Sequence, residues 1–336
     1  QFSRLEQSGL QQYENDRPIV YNPNLFIYQE GTSLGTYTKE NSTASFTNIE
    51  PRLTLAYRAN NSAWKASYQR VHQYLHLISN TSSPTPLDVW TPSGKYLKPQ
   101  RGDQWAVGYA TERNNGNTFE TEAFFKKTTN RYDYIDGAEL VANDALEQIL
   151  LAGTARAYGL ELLYKKTQGP LTGMVAYTLS RAEQQTPGLS KDEPGINQGE
   201  WYAAPYDKTH DLSISLGYKA SDKWQWNANL IAQTGQPVTY PTGQYSFMGS
   251  SIPNYGKRNE QRLPFYHRID IAATLYPKKN KGKRVQGNWV FGIYNLYNRR
   301  NAATISFRQD AETGENQAYR LSIFGIVPSI TYNIRF

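Results

Sequence analysis

The chain has 336 residues, a formal net charge of +7 and no cysteine, which excludes disulfide frameworks and thiolate metal sites. Only 38% of its residues are hydrophobic although 13% are aromatic, and no run of 18 apolar residues occurs, so no membrane-spanning helix is encoded. The mean hydropathy of −0.69 suits a soluble protein, but a β-barrel hides its apolar residues by alternation, and averaging misses them.

Residues 1–12, QFSRLEQSGLQQ, contain no apolar leader segment, so an exported protein with this start is expected to be processed or truncated. Residues 2–9 read as a weak first strand. Leu53, Leu55 and Tyr57 then alternate with polar residues up to the turn ANNS, and Trp64, Ala66 and Tyr68 resume the alternation. Trp105, Val107 and Tyr109 precede RNNGN, with Phe119 and Phe125 beyond it. At 144–153, DALEQILLAG has Asp144 and Glu147 at capping-box spacing and Gly153 as a stop, which predicts a short helix. Tyr158, Leu160, Leu162 and Tyr164 lead to TQGP, and Leu171, Val175, Tyr177 and Leu179 follow. Leu212 to Tyr218 and Trp224 to Leu230 flank ASDK as a tight hairpin. His267, Ile269, Ile271 and Leu275 share one parity before the basic turn KKNKGKR at 278–284. The final segment, FGIVPSITYNIRF, places Phe324, Ile326, Pro328, Ile330, Tyr332, Ile334 and Phe336 on one side of an extended chain. A transmembrane strand needs about 9–11 residues, which this segment exceeds.

These readings predict an all-β fold of about twelve antiparallel strands. Connections near 59–62, 113–117, 167–170 and 220–223 are short, whereas those at 10–43, 79–100, 131–151, 184–206 and 237–262 are long. Short periplasmic turns and long extracellular loops are the pattern of an outer-membrane barrel. Tyr57, Tyr109, Tyr164, Tyr218 and Tyr276, with Trp64, Phe119, Trp224 and Trp289, recur beside the short turns, where a membrane-interface girdle of aromatics belongs. A soluble β-sandwich explains the aromatics but not their recurrence. The basic turn reads as a solvated loop, and no nucleic-acid module occurs.

Several segments carry a family likeness. WYAAPYDKTHDLSISLGY (201–218), AQTGQPVTYPTGQYSF (232–247), RLPFYHRIDIAATL (262–275), FGIYNLYNRRNAATISF (291–307) and LSIFGIVPSITYNIRF (321–336) resemble the C-terminal barrel of Bacteroidetes-type TonB-dependent outer-membrane receptors. LDVWTPS (87–93), LKPQRGDQWAVGY (97–109) and YGLELLYKK (158–166) fit the same pattern. The resemblance implies a barrel of about 22 strands with a plugged lumen. Ligand would bind outer loops and the plug, and TonB would drive uptake of a bulky nutrient such as a siderophore, glycan or peptide. The implied partners are outer-membrane lipid and lipopolysaccharide, TonB through a plug these residues do not include, and in some relatives a surface lipoprotein. No cofactor and no catalysis are implied. Residues 1–336 are accordingly expected to be the C-terminal part of such a barrel. The alternatives are a self-contained twelve-stranded porin and a barrel hydrolase.

Candidate sites follow from these faces. Aromatic platforms with an occasional cation suit bulky polar ligands, which points to the outer-loop residues Trp90, Tyr96, Trp201, Tyr202, Tyr240, Tyr245, Tyr255 and Arg258. Loop-to-loop packing is the plain alternative for each. Arg52, Glu120, Glu122, Glu161, Lys165, Arg268 and Asp270 have the parity opposite to the aromatics, so they are expected to line the lumen or pair across strands. Asp207, His210 and Asp211 could supply a base and its orienting partner, but strand anchoring is the preferred reading. His72 and His76 lie about 13 Å apart along one strand, too far for one metal ion.

Overall fold

The computed structural model describes residues 2–7, 11–36, 44–78, 89–113, 115–138, 146–248, 250–277, 286–309 and 316–336. Eleven strands form one antiparallel meander: β1 Arg52–Ala59, β2 Ser62–Gln73, β3 Gln100–Arg113, β4 Asn117–Tyr134, β5 Leu150–Lys166, β6 Leu171–Gln185, β7 His210–Lys219, β8 Trp224–Gln233, β9 Tyr266–Leu275, β10 Gln286–Tyr294 and β11 Val327–Arg335. Each pairs only with its neighbours in this order, and a twelfth strand of two residues, Tyr202–Ala203, lies beside β6. The predicted first strand forms as Phe2–Gln7, but it pairs with Ala44–Ile49 rather than joining this sheet. The break between Ala44–Ile49 and β1 falls at Glu50 and Pro51. There the Glu50 carboxylate accepts the His72 backbone N–H at 2.7 Å, and the Pro51 carbonyl accepts that of Arg70 at 3.0 Å.

The register settles the two faces. Tyr57 lies opposite Trp64 and Trp64 opposite Tyr109; Phe119 opposes Tyr164, Tyr218 opposes Trp226, and Trp289 opposes Tyr332. Because directly opposite residues share a face, these rings share one side of the sheet, with Val107, Leu160, Ile214 and Ile330. Tyr276 departs from the expected girdle. It follows β9 on the other parity, and its hydroxyl reaches the Gln225 side chain at 3.4 Å on the polar face. The basic turn at 278–284 lies outside the described residues.

At 18 and 17 residues, β4 and β5 run well past the length a tilted spanning strand needs. Their long-loop ends carry the hydrophobic core. Ile19, Leu151 and Ile196 are fully enclosed there, packed with Ile78, Leu97, Tyr132, Ile135, Leu146, Ile149, Leu150 and Tyr202. The loop before β1 folds into this cap as two small hairpins, Gln11–Tyr13 with Ser33–Thr36 and Ile19–Asn22 with Ile27–Glu30. It is tied down by Tyr13 donating to Glu147 at 2.9 Å, by Gln148 donating to the Gly31 carbonyl at 2.9 Å, and by the Gly195 N–H donating to the Tyr28 hydroxyl at 3.1 Å.

The helix expected at 144–153 is a correction. In the described part of this segment, 146–153, only a single 3₁₀ turn, Leu146–Gln148, forms, and Leu150 already begins β5. Leu150 and Leu151 pair with Tyr134 and Asp133, so ladder bonds and burial override local helix propensity. A bulge between Thr129 and Arg131, where Asn130 has a φ of +56° and donates to the Pro99 carbonyl at 2.8 Å, offsets the register just below this pairing.

Candidate functional site

The cap encloses a cleft of about 790 Å³, within the 300–1,000 Å³ range of small-molecule sites. Its walls come from three regions: 133–137 at the end of β4 and just beyond it, Gln236–Tyr240 after β8, and Tyr255–Asn259 ahead of β9, with Ala303–Ile305 closing one side. Tyr240, Tyr255 and Arg258, three of the sequence candidates, meet here. Tyr255 is exposed. Tyr240 packs edge-on against Phe307 at 5.1 Å, and its buried hydroxyl has no hydrogen-bond partner among the described residues. Burial also pushes that hydroxyl's pKa up.

Arg258 is the keystone of the cleft. It pairs with Asp133 at 2.9 Å and with Asp136, and it donates to the Tyr134 carbonyl at 2.6 Å. Its backbone N–H donates to the Asn197 side chain at 2.8 Å, and that side chain donates back to the Arg258 carbonyl at 3.0 Å. Through its guanidinium and its backbone together, this one residue braces three loops, with partners 61 and 125 positions away. Its charge is matched by carboxylates, so it shapes the cleft more than it offers an open cation. Tyr202 also departs from the sequence expectation of an exposed platform. It is buried, donates to Asp133 at 2.7 Å and lies 3.0 Å from the Thr186 hydroxyl. Burial first, and then the Asp133 charge, raise its pKa.

The other loop aromatics are dispersed. Trp201 lies on the Arg156 guanidinium at 4.0 Å. Tyr245 projects from the hairpin Pro241–Phe247/Ser250–Tyr255. Trp90 is exposed on Val89–Pro92, whereas Tyr96 donates to Asp16 at 2.9 Å and packs on Tyr13. Asp207, His210 and Asp211 do not converge. Asp207 is buried, accepts the Ala182 N–H at 2.6 Å and pairs with Arg262. His210 instead meets the Tyr177 hydroxyl at 2.8 Å, while Asp211 accepts from Gln233 at 3.0 Å. His72 sits 3.6 Å from Glu50, and His76 shares a 2.8 Å hydrogen bond with Ser93. Among the described residues no three potential metal ligands cluster.

All seven charged wall candidates fall on the face opposite the aromatics. Arg268 and Asp270 pair at 2.9 Å, with Arg268 donating to the Tyr294 hydroxyl at 2.6 Å. Glu122 and Glu161 are directly opposite each other in register, a repulsive placement unless counter-charge or water intervenes. Glu120 lies one alternation nearer the short-turn end, and Arg52 and Lys165 stand apart. Sequence reasoning missed Asp133 and Asp136, because nothing in YDYIDG distinguishes them from ordinary turn carboxylates.

The described fold aligns with solved outer-membrane structures. The ferric-catecholate import receptor Fiu of Escherichia coli K12 matches with a TM-score of 0.53 and 13% identity, over 99% of this chain and 40% of that one. The ferripyoverdine receptor of Pseudomonas aeruginosa matches with a TM-score of 0.54 and 13% identity, over 92% and 34%. The ferric yersiniabactin uptake receptor FyuA of Yersinia pestis matches with a TM-score of 0.53 and 14% identity, over 92% and 41%. The chain thus spans roughly a third to two fifths of those receptors' length. Comparison with curated sequences finds no match. Residues 20–296 match the family of TonB dependent receptor-like β-barrels. With most of its length inside that match, and with a lipid-suited aromatic face opposite a charged one, this chain belongs to the TonB-dependent receptor β-barrel family of the bacterial outer membrane.

Proposed function

We propose that residues 1–336 are the C-terminal barrel part of a receptor that captures a bulky nutrient at its long-loop end and admits it past a plug driven by TonB. The Bacteroidetes-type likeness of the sequence motifs supports a ligand drawn from siderophores, glycans or peptides. The observation that carries the reading is the 790 Å³ cleft, floored by the Arg258 ion pairs and walled by Tyr240 and Tyr255. A braced cleft with aromatic walls is pre-organised, which lowers the entropic cost of capture. The opposite-face charges Arg52, Glu120, Glu122, Glu161 and Lys165 would line the lumen below it, and none has an ion-pair partner among the described residues. They suit contact with water, a plug, or passing ligand. In this reading the wall is a scaffold and not an enzyme, since Asp207 and His210 are each engaged in separate anchoring contacts. The same family likeness supports a surface lipoprotein as a further partner.

The test uses the full-length receptor in cells that lack other uptake systems, supplied in turn with a ferric catecholate, oligosaccharides and peptides. One class should be taken up, and only when TonB is present. Replacing Tyr240 and Tyr255 together by alanine should weaken its binding about tenfold or more, as expected for truncated aromatic anchors. Uptake independent of TonB, or steady conductance of the intact protein, would replace this reading with a porin.

A further inference from the structure

We propose that the cleft is one lobe of a longer groove, and that Asp136, at the saddle between the lobes, selects a peptide carrying a basic side chain over an anionic ferric chelate. The inference rests on the receptor reading above and names the ligand charge that reading leaves open. A second cavity of about 450 Å³ adjoins the first, and Asp136, Asn197, Tyr255 and Gly256 line both. One wall of the second lobe is the hairpin Ile19–Asn22/Ile27–Glu30 with its turn. Tyr21, Phe26, Ile27, Tyr28, Ile135 and Pro194 line this lobe, which makes it mainly apolar. Tyr21 and Tyr28 pack at 5.1 Å, and the Tyr28 hydroxyl accepts the Gly195 N–H at 3.1 Å, which seats the hairpin on the loop opposite. Phe26 and Tyr255 remain exposed, at 80% and 59%, so their rings are open to a ligand.

The charge of the groove is negative. Arg258 sits between two carboxylates, Asp133 at 2.9 Å and Asp136. The Asp133 and Arg258 side chains are mostly buried, at 11% and 15% exposure, and satisfy one another, whereas that of Asp136 is 77% exposed. Lys257, in the second lobe, is met by Glu200 at 3.2 Å. Two cations against three carboxylates leave a charge of −1, and among the described residues neither lobe holds an unpaired cation. Asp136 engages Arg258 through Oδ1, and its Oδ2 has no hydrogen-bond partner among the described residues.

An anionic chelate would therefore enter a like-charged site with no free guanidinium or ammonium to receive it, a costly juxtaposition. A ligand ammonium or guanidinium would instead make a charge-assisted hydrogen bond to the exposed carboxylate. The Tyr255 ring, shared by both lobes, offers a cation–π face beside it. The apolar lobe then takes a neighbouring apolar side chain of the ligand. A cation next to an apolar side chain is the chemistry of a basic peptide; a neutral glycan supplies neither.

The experiment measures binding to the purified full-length receptor in lipid nanodiscs by calorimetry. The probes are a capped tetrapeptide alternating lysine and phenylalanine, the same peptide with glutamate for lysine, the same with alanine for phenylalanine, and a ferric catecholate. The lysine–phenylalanine peptide should bind about tenfold or more tighter than its glutamate form, and the ferric catecholate should not displace it. Asp136→Asn keeps the Arg258–Asp133 pair, so the cap should retain its hydrogen-exchange protection while the preference for lysine over glutamate falls about tenfold. Phe26→Ser should weaken the phenylalanine peptide about threefold and spare the alanine one, a difference that general loss of cap structure would not produce. Equal binding of the two charged peptides, displacement by the ferric catecholate, a D136N receptor with the parent's preference, or no peptide binding at all would overturn the proposal and leave the receptor reading standing. Uptake that ignores TonB would remove that reading and leave the measured preference intact.

Discussion

The wall and the cap of this molecule obey different rules. In the wall, large apolar side chains on the aromatic face of the interior strands, such as Val107, Leu160 and Trp226, stand 57%, 41% and 47% exposed. Lipid, not protein, is the apolar partner there, and closed backbone pairing is what the membrane requires. In the cap, Ile19, Leu151 and Ile196 are buried as in a water-soluble domain, and the Arg258 cluster satisfies its polar groups internally. Stability in the wall is therefore distributed along ladders, whereas stability in the cap is concentrated in a few side chains. The candidate ligand cleft belongs to the concentrated part.

The sharpest way to break that contrast is Arg258→Ala. Removing one partner of a buried pair leaves Asp133 uncompensated and costs about 3–5 kcal/mol. Hydrogen exchange should rise in 133–137, 196–200 and 255–259 while the wall strands keep their protection. Leu151→Ala opens a cavity in the same core and should cost about 2–5 kcal/mol, again read as exchange confined to the cap. If either change melts the wall as well, the two regions form one cooperative unit and the contrast is wrong.

Val107→Arg probes the wall from the lipid side. It should cost about 2–4 kcal/mol if the residue lies near mid-depth, measured by urea unfolding in bilayers, whereas Ala106→Ser on the opposite face should have little effect. Equal effects would mean that the faces are misassigned.

The smallest expected effect is a pH dependence in the cap. His76 lies twelve residues along the chain from Trp64, beyond the spanning part of the wall, beside Ser93 and edge-on to Tyr132 at 5.2 Å. Burial, and secondarily the Arg131 charge, hold its pKa below the ordinary value. The buried neutral form therefore contributes stability in full above about pH 6.5. That contribution is lost as pH falls below 6.5 toward the lowered folded-state value. Proteolysis of segment 89–97 should quicken between pH 7 and pH 5, and His76→Gln should flatten the profile. Unchanged cleavage of the parent across this range would contradict the assignment.

The contrast also explains what was legible in the sequence. Wall strands announce themselves because period-two alternation is local, so Tyr109 and Trp64 fall on one face from spacing alone. Tyr276 is the exception: its place beside a short turn suggested the girdle, but its even position already put it on the face of Arg268 and Asp270. The cap is built from contacts that no local pattern encodes. Arg258 meets Asp133 across 125 positions, and Tyr28 meets Gly195 across 167. DALEQILLAG reads as a helix because its residues favour one locally, yet Leu150 and Leu151 extend a strand toward partners sixteen and eighteen positions earlier. Arg258 and Tyr202 were identified as loop residues of interest, but their role as braces depends on carboxylates that only the fold supplies.

The most direct test of the account is a nitroxide scan along β4 in the full-length receptor, in native-like bilayers. The chain has no cysteine of its own, so single substitutions from Phe119 to Lys127 can each carry one label. The account predicts a period of two: high oxygen accessibility at positions 119, 121, 123 and 125, and low values at 120, 122, 124 and 126. A scan with no such period, or with its phase reversed, would contradict the assignment of the aromatic face to lipid and the charged face to the lumen.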